Sequence, residues 1–176
     1  MLSDLNNIFG EKKVSQYIEF QNNRLQINNY NNFVKNLSSS QKKLFNDLYN
    51  IINMADEWNI NYSEKVDING GGLTNFLNKT ITISPNDCEF TVSVCHRNEM
   101  GVQIPENKNV KTNSTVNLFH EIAEVIVGKG VSKRGYVIKR DNNARRVFNK
   151  NKSTKFKLKM REYDINHTND PLPEQK

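Results

Sequence analysis

One segment constrains the fold of this 176-residue chain more than any other: Leu118-Phe119-His120-Glu121-Ile122-Ala123-Glu124-Val125-Ile126-Val127. With Val116 it is apolar nearly all round a helical projection, the signature of a buried helix. Yet it carries a histidine and two carboxylates. His120 and Glu124 are four residues apart, so their side chains stand on one face, one turn apart, with Glu121 beside them. Buried charges are costly unless they are paired or bound to metal. The alternative is a helix with a solvated charged edge and a hydrogen-bonded His120, and the apolar surroundings weigh against it. Asn113-Ser114-Thr115 supplies N-cap residues, and Gly128 and Gly130 supply a stop. A helix between those marks is too short to cross a membrane.

Length suits one domain with a short appendage. Hydrophobic residues make up 36% and Asn is abundant, so much of the chain must be polar loop or surface. Residues 1–37 are Asn- and Gln-rich and read as an N-terminal extension or junction, with short amphipathic helices at 12–20 and 30–37. Residues 38–165 read as the functional domain and 166–176 as a polar tail. The start lacks a basic region followed by an apolar one, so it is no signal peptide. Cys88 and Cys95 lack zinc-knuckle spacing and are expected to be reduced.

Leu44, Leu48, Ile51, Ile52 and Ala55 form an apolar stripe, which predicts a helix over 40–57 with Trp58 packed at its end. The period then changes to two. Residues 60–62 and 65–68 are expected to be extended, Gly70-Gly71-Gly72 to be a flexible connection, and 73–76, 80–84 and 90–95 to be strands. Val102-Gln103-Ile104 is a further strand, stopped by Pro105, with a polar loop over 105–113. A second helix is expected over 139–150, and alternation predicts a strand over 155–161. The fold class is therefore α+β, with a small antiparallel sheet packed against the central buried helix and flanking helices.

Net charge is +6 and unevenly spread. Between Lys129 and Arg161 there are thirteen Lys and Arg residues and a single acid, Asp141. Such a half-domain fits an acidic partner: nucleic acid, an anionic surface or an acidic protein; a solvated basic face is the plain alternative. Aromatic residues for base stacking are sparse there.

Hydrolytic zinc sites use three protein ligands and keep one position open. His120 and Glu124 supply two, and Asp141 is either the third or a helical partner of Arg145. Glu121 is then the general base. Tyr136, His167 and Arg145 are candidates for contacting substrate or a developing oxyanion, and His96 is a further ligand or electrophile. One His with two carboxylates is a hard ligand set, tolerant of Mn²⁺ or other divalent ions beside Zn²⁺.

The pattern His120-Glu121-Ile122-Ala123-Glu124, preceded by Thr80-Ile81-Thr82-Ile83 and followed by Asp141-Asn142-Asn143-Ala144-Arg145, resembles the C-terminal zinc-metallopeptidase domains of bacterial polymorphic toxins and effectors. The resemblance covers residues 40 to 160. His120 and Glu121 match the family's HE, and Asp141, Asn142 and Arg145 match its downstream acid-Asn-x-x-Arg. Glu124 departs from the usual second His, as in relatives that carry HE.AE. The resemblance implies a zincin-like fold, a peptidase with a protein substrate, and delivery to a target cell by a specialised secretion system, as a soluble protein without membrane insertion. It also implies a cognate immunity protein, expected to be acidic. Two other readings stand beside it: an inactive peptidase-like interaction domain, and a nucleic-acid-targeting toxin using the basic 129–161 segment.

Overall fold

The computed structural model describes residues 1–21, 24–54, 58–128, 135–151 and 157–160; the side chains of 20, 21, 24, 68, 69, 95–97 and 103 fall outside the description. Among the described residues there are six α-helices and three small sheets. The helices are α1 (Leu2–Phe9), α2 (Glu11–Tyr17), α3 (Tyr30–Lys35), α4 (Ser39–Ile52), α5 (Ser114–Gly128) and α6 (Tyr136–Asn151). The strands are β1 (Ile18–Gln21), β2 (Arg24–Ile27), β3 (Asn59–Tyr62), β4 (Gly72–Asn75), β5 (Thr80–Ile83), β6 (Cys88–Arg97) and β7 (Gln103–Thr112). No described helix is long and apolar enough to cross a membrane.

Helix α5 is the hub. Its residues from Thr115 to Ala123 are all buried, and α1, α4, α6, β4 and β5 all pack on it. Asn113 caps it: Oδ1 accepts from the Val116 amide at 3.0 Å, satisfying one of the unpaired first-turn donors. Helix α4 starts with a reciprocal capping box. Ser38 Oγ accepts from the Gln41 amide, and Gln41 Oε1 accepts from the Ser38 amide.

Residues 1–37, set apart in sequence as an extension, pack into the same core. Leu5 and Ile8 are fully buried. The Phe9 ring stands edge-on to Phe33, Phe45 and Phe119 at 5.5, 5.9 and 6.1 Å. Asp4 Oδ1 accepts from Ser114 and Thr115 in the first turn of α5, at 2.6 and 2.9 Å. There the carboxylate also faces the positive end of the helix dipole. Polar composition hid eight buried apolar side chains among the described residues, Leu5, Ile8, Phe9, Val14, Ile18, Leu25, Phe33 and Leu37, each contributing about 1.5–3 kcal/mol on burial.

The central sheet has the order β3-β5-β4, with β3 parallel to β5 and β4 antiparallel to it. Ile81 and Ile83 point into the core from β5, as the alternation predicts. Residues 65–68 are not extended: Glu64–Asn69 form a 3₁₀ turn started by Ser63, whose hydroxyl accepts from the Lys65 amide. The expected loop over 105–113 is strand as far as Thr112. Strands β6 and β7 form a two-stranded ribbon with Thr91 opposite Asn109 and Ser93 opposite Asn107, each pair joined by a side-chain hydrogen bond. Pro105 does not stop it, because a two-stranded ribbon leaves half of its amides facing outward. Helix α6 starts earlier than expected, at Tyr136. Residues 157–160 have no strand assignment; Leu158 instead docks on α6, its amide and carbonyl both bonded to the Asn149 side chain at 2.8 Å. Residues 155, 156 and 161 of that expected strand, and 131–134 before α6, lie outside the described residues.

Candidate functional site

The chemistry gathers where α5 faces α6. The His120 ring is held between two carboxylates. Nδ1 lies 3.2 Å from Asp141 Oδ2 on α6, and Nε2 lies 3.4 Å from Glu124 Oε1, one turn along α5. Asp141 is 2% exposed, and its second oxygen accepts from Arg145 Nε. Arg145 is itself buried, and its Nη1 donates to the carbonyls of Lys111 and Lys159 at 2.6 and 3.2 Å. A buried carboxylate thus meets both its cation and its hydrogen-bond donors.

Glu121, beside His120 on α5, reaches the sheet with one oxygen. Thr74 Oγ1 on β4 donates to Oε2 at 2.7 Å. Burial, reinforced by the neighbouring Glu124 charge, pushes the Glu121 carboxyl up to about 8. Glu124 is the way out of the cluster: its side chain is 33% exposed, against 11% for His120.

The triple glycine is part of this site. Gly70 and Gly71 take φ of +79° and +86°, values that favour glycine. A Cβ on Gly72 would lie 2.8 Å from Glu121 Cδ, and one on Gly71 would lie 2.9 Å from Cys88 Sγ and strike Asn117 Nδ2. The glycines therefore let β4 lie directly on α5. The sequence expectation of a flexible connection is corrected: the segment is packed. Cys88 is a free, buried thiol; the Cys95 side chain lies outside the described residues.

Asp141, Glu124 and His120 do not converge on one point. The two carboxylates take opposite nitrogens of the ring, so a single ion on Nε2 is out of reach of an Asp141 bonded to Nδ1. Asp141 is instead placed as the residue that orients the ring. The remaining pair does fit a metal. Two ligands at about 2.0–2.2 Å from one ion, at a tetrahedral angle, sit about 3.3 Å apart, close to the 3.4 Å between Nε2 and Glu124 Oε1. Among the described residues no three His, Cys, Asp or Glu side chains form a set able to hold an ion.

The other residues singled out in the sequence fall elsewhere. Tyr136 is bound into the α4–α6 interface: its hydroxyl donates to Asp47 at 2.6 Å, and Arg140 Nε donates to the same carboxylate at 2.6 Å. Its hydroxyl is bonded there and not to His120, Glu121 or Glu124 in any of these contacts. Arg145 is bonded to Asp141 and two carbonyls, and it is 1% exposed. His167 lies outside the described residues, and so does the His96 side chain. Of the basic segment, Arg140 and Arg145 are paired inside the protein, while Arg146 and Lys150 on α6 and Lys157 and Lys159 beyond it are exposed. Sequence reasoning missed Thr74 and Gly72, which touch Glu121 from a strand more than forty residues away. A small polar residue two positions after the glycines was the available signal.

No protein-family model, curated protein or solved structure matches this chain. What the site does is therefore argued from its own geometry.

Proposed function

We propose that the chain is a divalent-metal-dependent hydrolase acting on peptide bonds, in a zincin-like arrangement. The observation that carries this reading is the separation of His120 Nε2 and Glu124 Oε1, which suits two ligands of one ion. Zn²⁺ is the first choice and Mn²⁺ the second. When bound, the ion supplies electrophilic polarisation of a carbonyl and eases deprotonation of water.

The remaining steps belong to the protein. His120 offers Nε2 because Asp141 holds the proton on Nδ1. In this reading Glu121 takes a proton from the attacking water and returns it to the leaving amine. Thr74 fixes its carboxylate by donating to Oε2. A cation held by Glu124 would oppose the two causes that keep Glu121 protonated, and so turn it into a base near neutral pH. The choice of a peptide as substrate, and delivery as a bacterial toxin with an acidic immunity partner, rest on the resemblance of the His120 and Asp141 motifs.

The test is metal analysis of chain purified without chelator or nickel resin, beside His120→Ala and Glu124→Ala. Near-stoichiometric zinc or manganese, lost in both variants, supports the reading. Metal-free protein that takes up no ion on reconstitution overturns it. The second reading, an inactive peptidase-like interaction domain, is favoured by the lack of a third ligand among the described residues.

A further inference from the structure

Arg145 occupies an unusual place. It is among the largest fully buried side chains of the protein, and it connects three separate parts of the chain. Nε donates to Asp141 one turn back on α6, and Nη1 donates to the carbonyl of Lys111 near the end of β7 and to that of Lys159. Asp141 divides its oxygens: Oδ1 meets Arg145 and Oδ2 meets His120 Nδ1. The ring's orientation therefore depends on a carboxylate whose own rotation is fixed by Arg145. The guanidinium is in turn aimed by two backbone carbonyls.

We infer that Arg145 is the positioning residue of the site: by locking Asp141 it fixes the tautomer and orientation of His120, and the docking of residues 157–160 on α6 completes the lock. This deepens the metal-site reading, since it concerns which nitrogen His120 offers as donor atom. The guanidinium fork suits the role because its donors leave in fixed directions, which a lysine ammonium cannot reproduce. Residues 157–160 are held by Asn149, which bonds the Leu158 amide and carbonyl and so presents the Lys159 carbonyl to Nη1. A carboxylate that loses the guanidinium loses the donor on Oδ1, and its hold on the Nδ1–H through Oδ2 is weakened.

The experiment is ¹⁵N spectroscopy of the imidazole nitrogens, with the ring neutral, in wild-type protein, Arg145→Lys and Asn149→Ala. The chain has 3 histidines, so a His120→Gln control assigns the signals. Wild type is expected to show a single His120 tautomer with the proton on Nδ1. Arg145→Lys is expected to show both tautomers, and Asn149→Ala a smaller shift in the same direction. A folded Arg145→Lys protein with the wild-type His120 spectrum would overturn the inference. If Arg145→Lys does not fold, an unchanged His120 spectrum in Asn149→Ala overturns it instead. Titration of wild type with Zn²⁺ by calorimetry separates the two proposals. No binding together with the expected spectra leaves Arg145 in its role and removes the metal.

Discussion

His120 is gripped from both sides, by Asp141 at Nδ1 and by Glu124 at Nε2, at 3.2 and 3.4 Å. The two acids therefore have different jobs, and substitution should separate them. Glu124→Ala should abolish metal binding, as His120→Ala does. Asp141→Asn should keep the ion with affinity reduced about 10–100-fold, the usual effect of losing an orienting partner. Calorimetric titration with Zn²⁺ distinguishes the cases; complete loss in Asp141→Asn would make Asp141 a ligand after all.

Glu121 gives a pH signature. Its carboxyl titrates near 4.5 when unfolded and at about 8 in the fold, chiefly through burial. Between those values the native protein holds a proton that the unfolded chain has released. Its contribution to stability is full below the unfolded value and is lost as pH rises through the folded one. With chelator present, Tm should fall between about pH 5 and pH 8 more steeply in wild type than in Glu121→Gln. Parallel curves would remove the buried proton from the account.

Gly72 should tolerate no side chain. Gly72→Ala places a methyl against the Glu121 carboxyl, and overpacking of this kind costs about 1–3 kcal/mol. The proposed peptidase activity should drop with it, while the proposed zinc binding through His120 and Glu124 persists. Full activity in a folded Gly72→Ala protein would mean that Glu121 has another position to occupy.

Tyr136 offers a negative control. Tyr136→Phe removes a hydroxyl bonded to Asp47 and Arg140, at about 0.5–1.5 kcal/mol. Asp47→Ala leaves the half-buried Arg140 and the Tyr136 hydroxyl without their carboxylate and should cost more than Tyr136→Phe, about 1–3 kcal/mol. Chemical denaturation measures both. Neither should change metal affinity, and a Tyr136→Phe protein of normal stability with impaired turnover would return Tyr136 to the active site.

Leu5→Ala should cost about 2–5 kcal/mol, the range for a large-to-small change at a fully buried site. An effect below about 0.5 kcal/mol, the range of a surface substitution, would restore residues 1–37 to the status of an extension.

The sequence carried the local facts well and the relational ones poorly. Helix α5 was legible because burial on every side leaves an apolar run, and its caps and stop are local signals. The His120–Glu124 pairing was legible because helical spacing dictates it. Asp141 was legible as an acid among cations, but not its choice of nitrogen, which depends on how α6 crosses α5. Strand β7 was hidden because its residues from 104 to 111 are mostly polar and none is buried, so no apolar alternation marks it. Thr74 and Gly72 were hidden for the same reason: contact across a sheet–helix interface leaves no period in either segment. The role of residues 1–37 was masked by an Asn-rich background around their buried apolar side chains.

That N-terminal packing has a kinetic side. Asn7 bonds Thr115, Asp4 bonds Ser114, and Asn151 bonds the Asn7 carbonyl, separations of 108, 110 and 144 residues. Closing such long loops is entropically costly and slow. During synthesis Leu5, Ile8 and Phe9 would leave the ribosome long before the helix that shelters them, and would need to be kept from other apolar surfaces until it arrives. The cluster around His120 is then completed only when residues near Leu5 meet helices more than a hundred positions further along the chain.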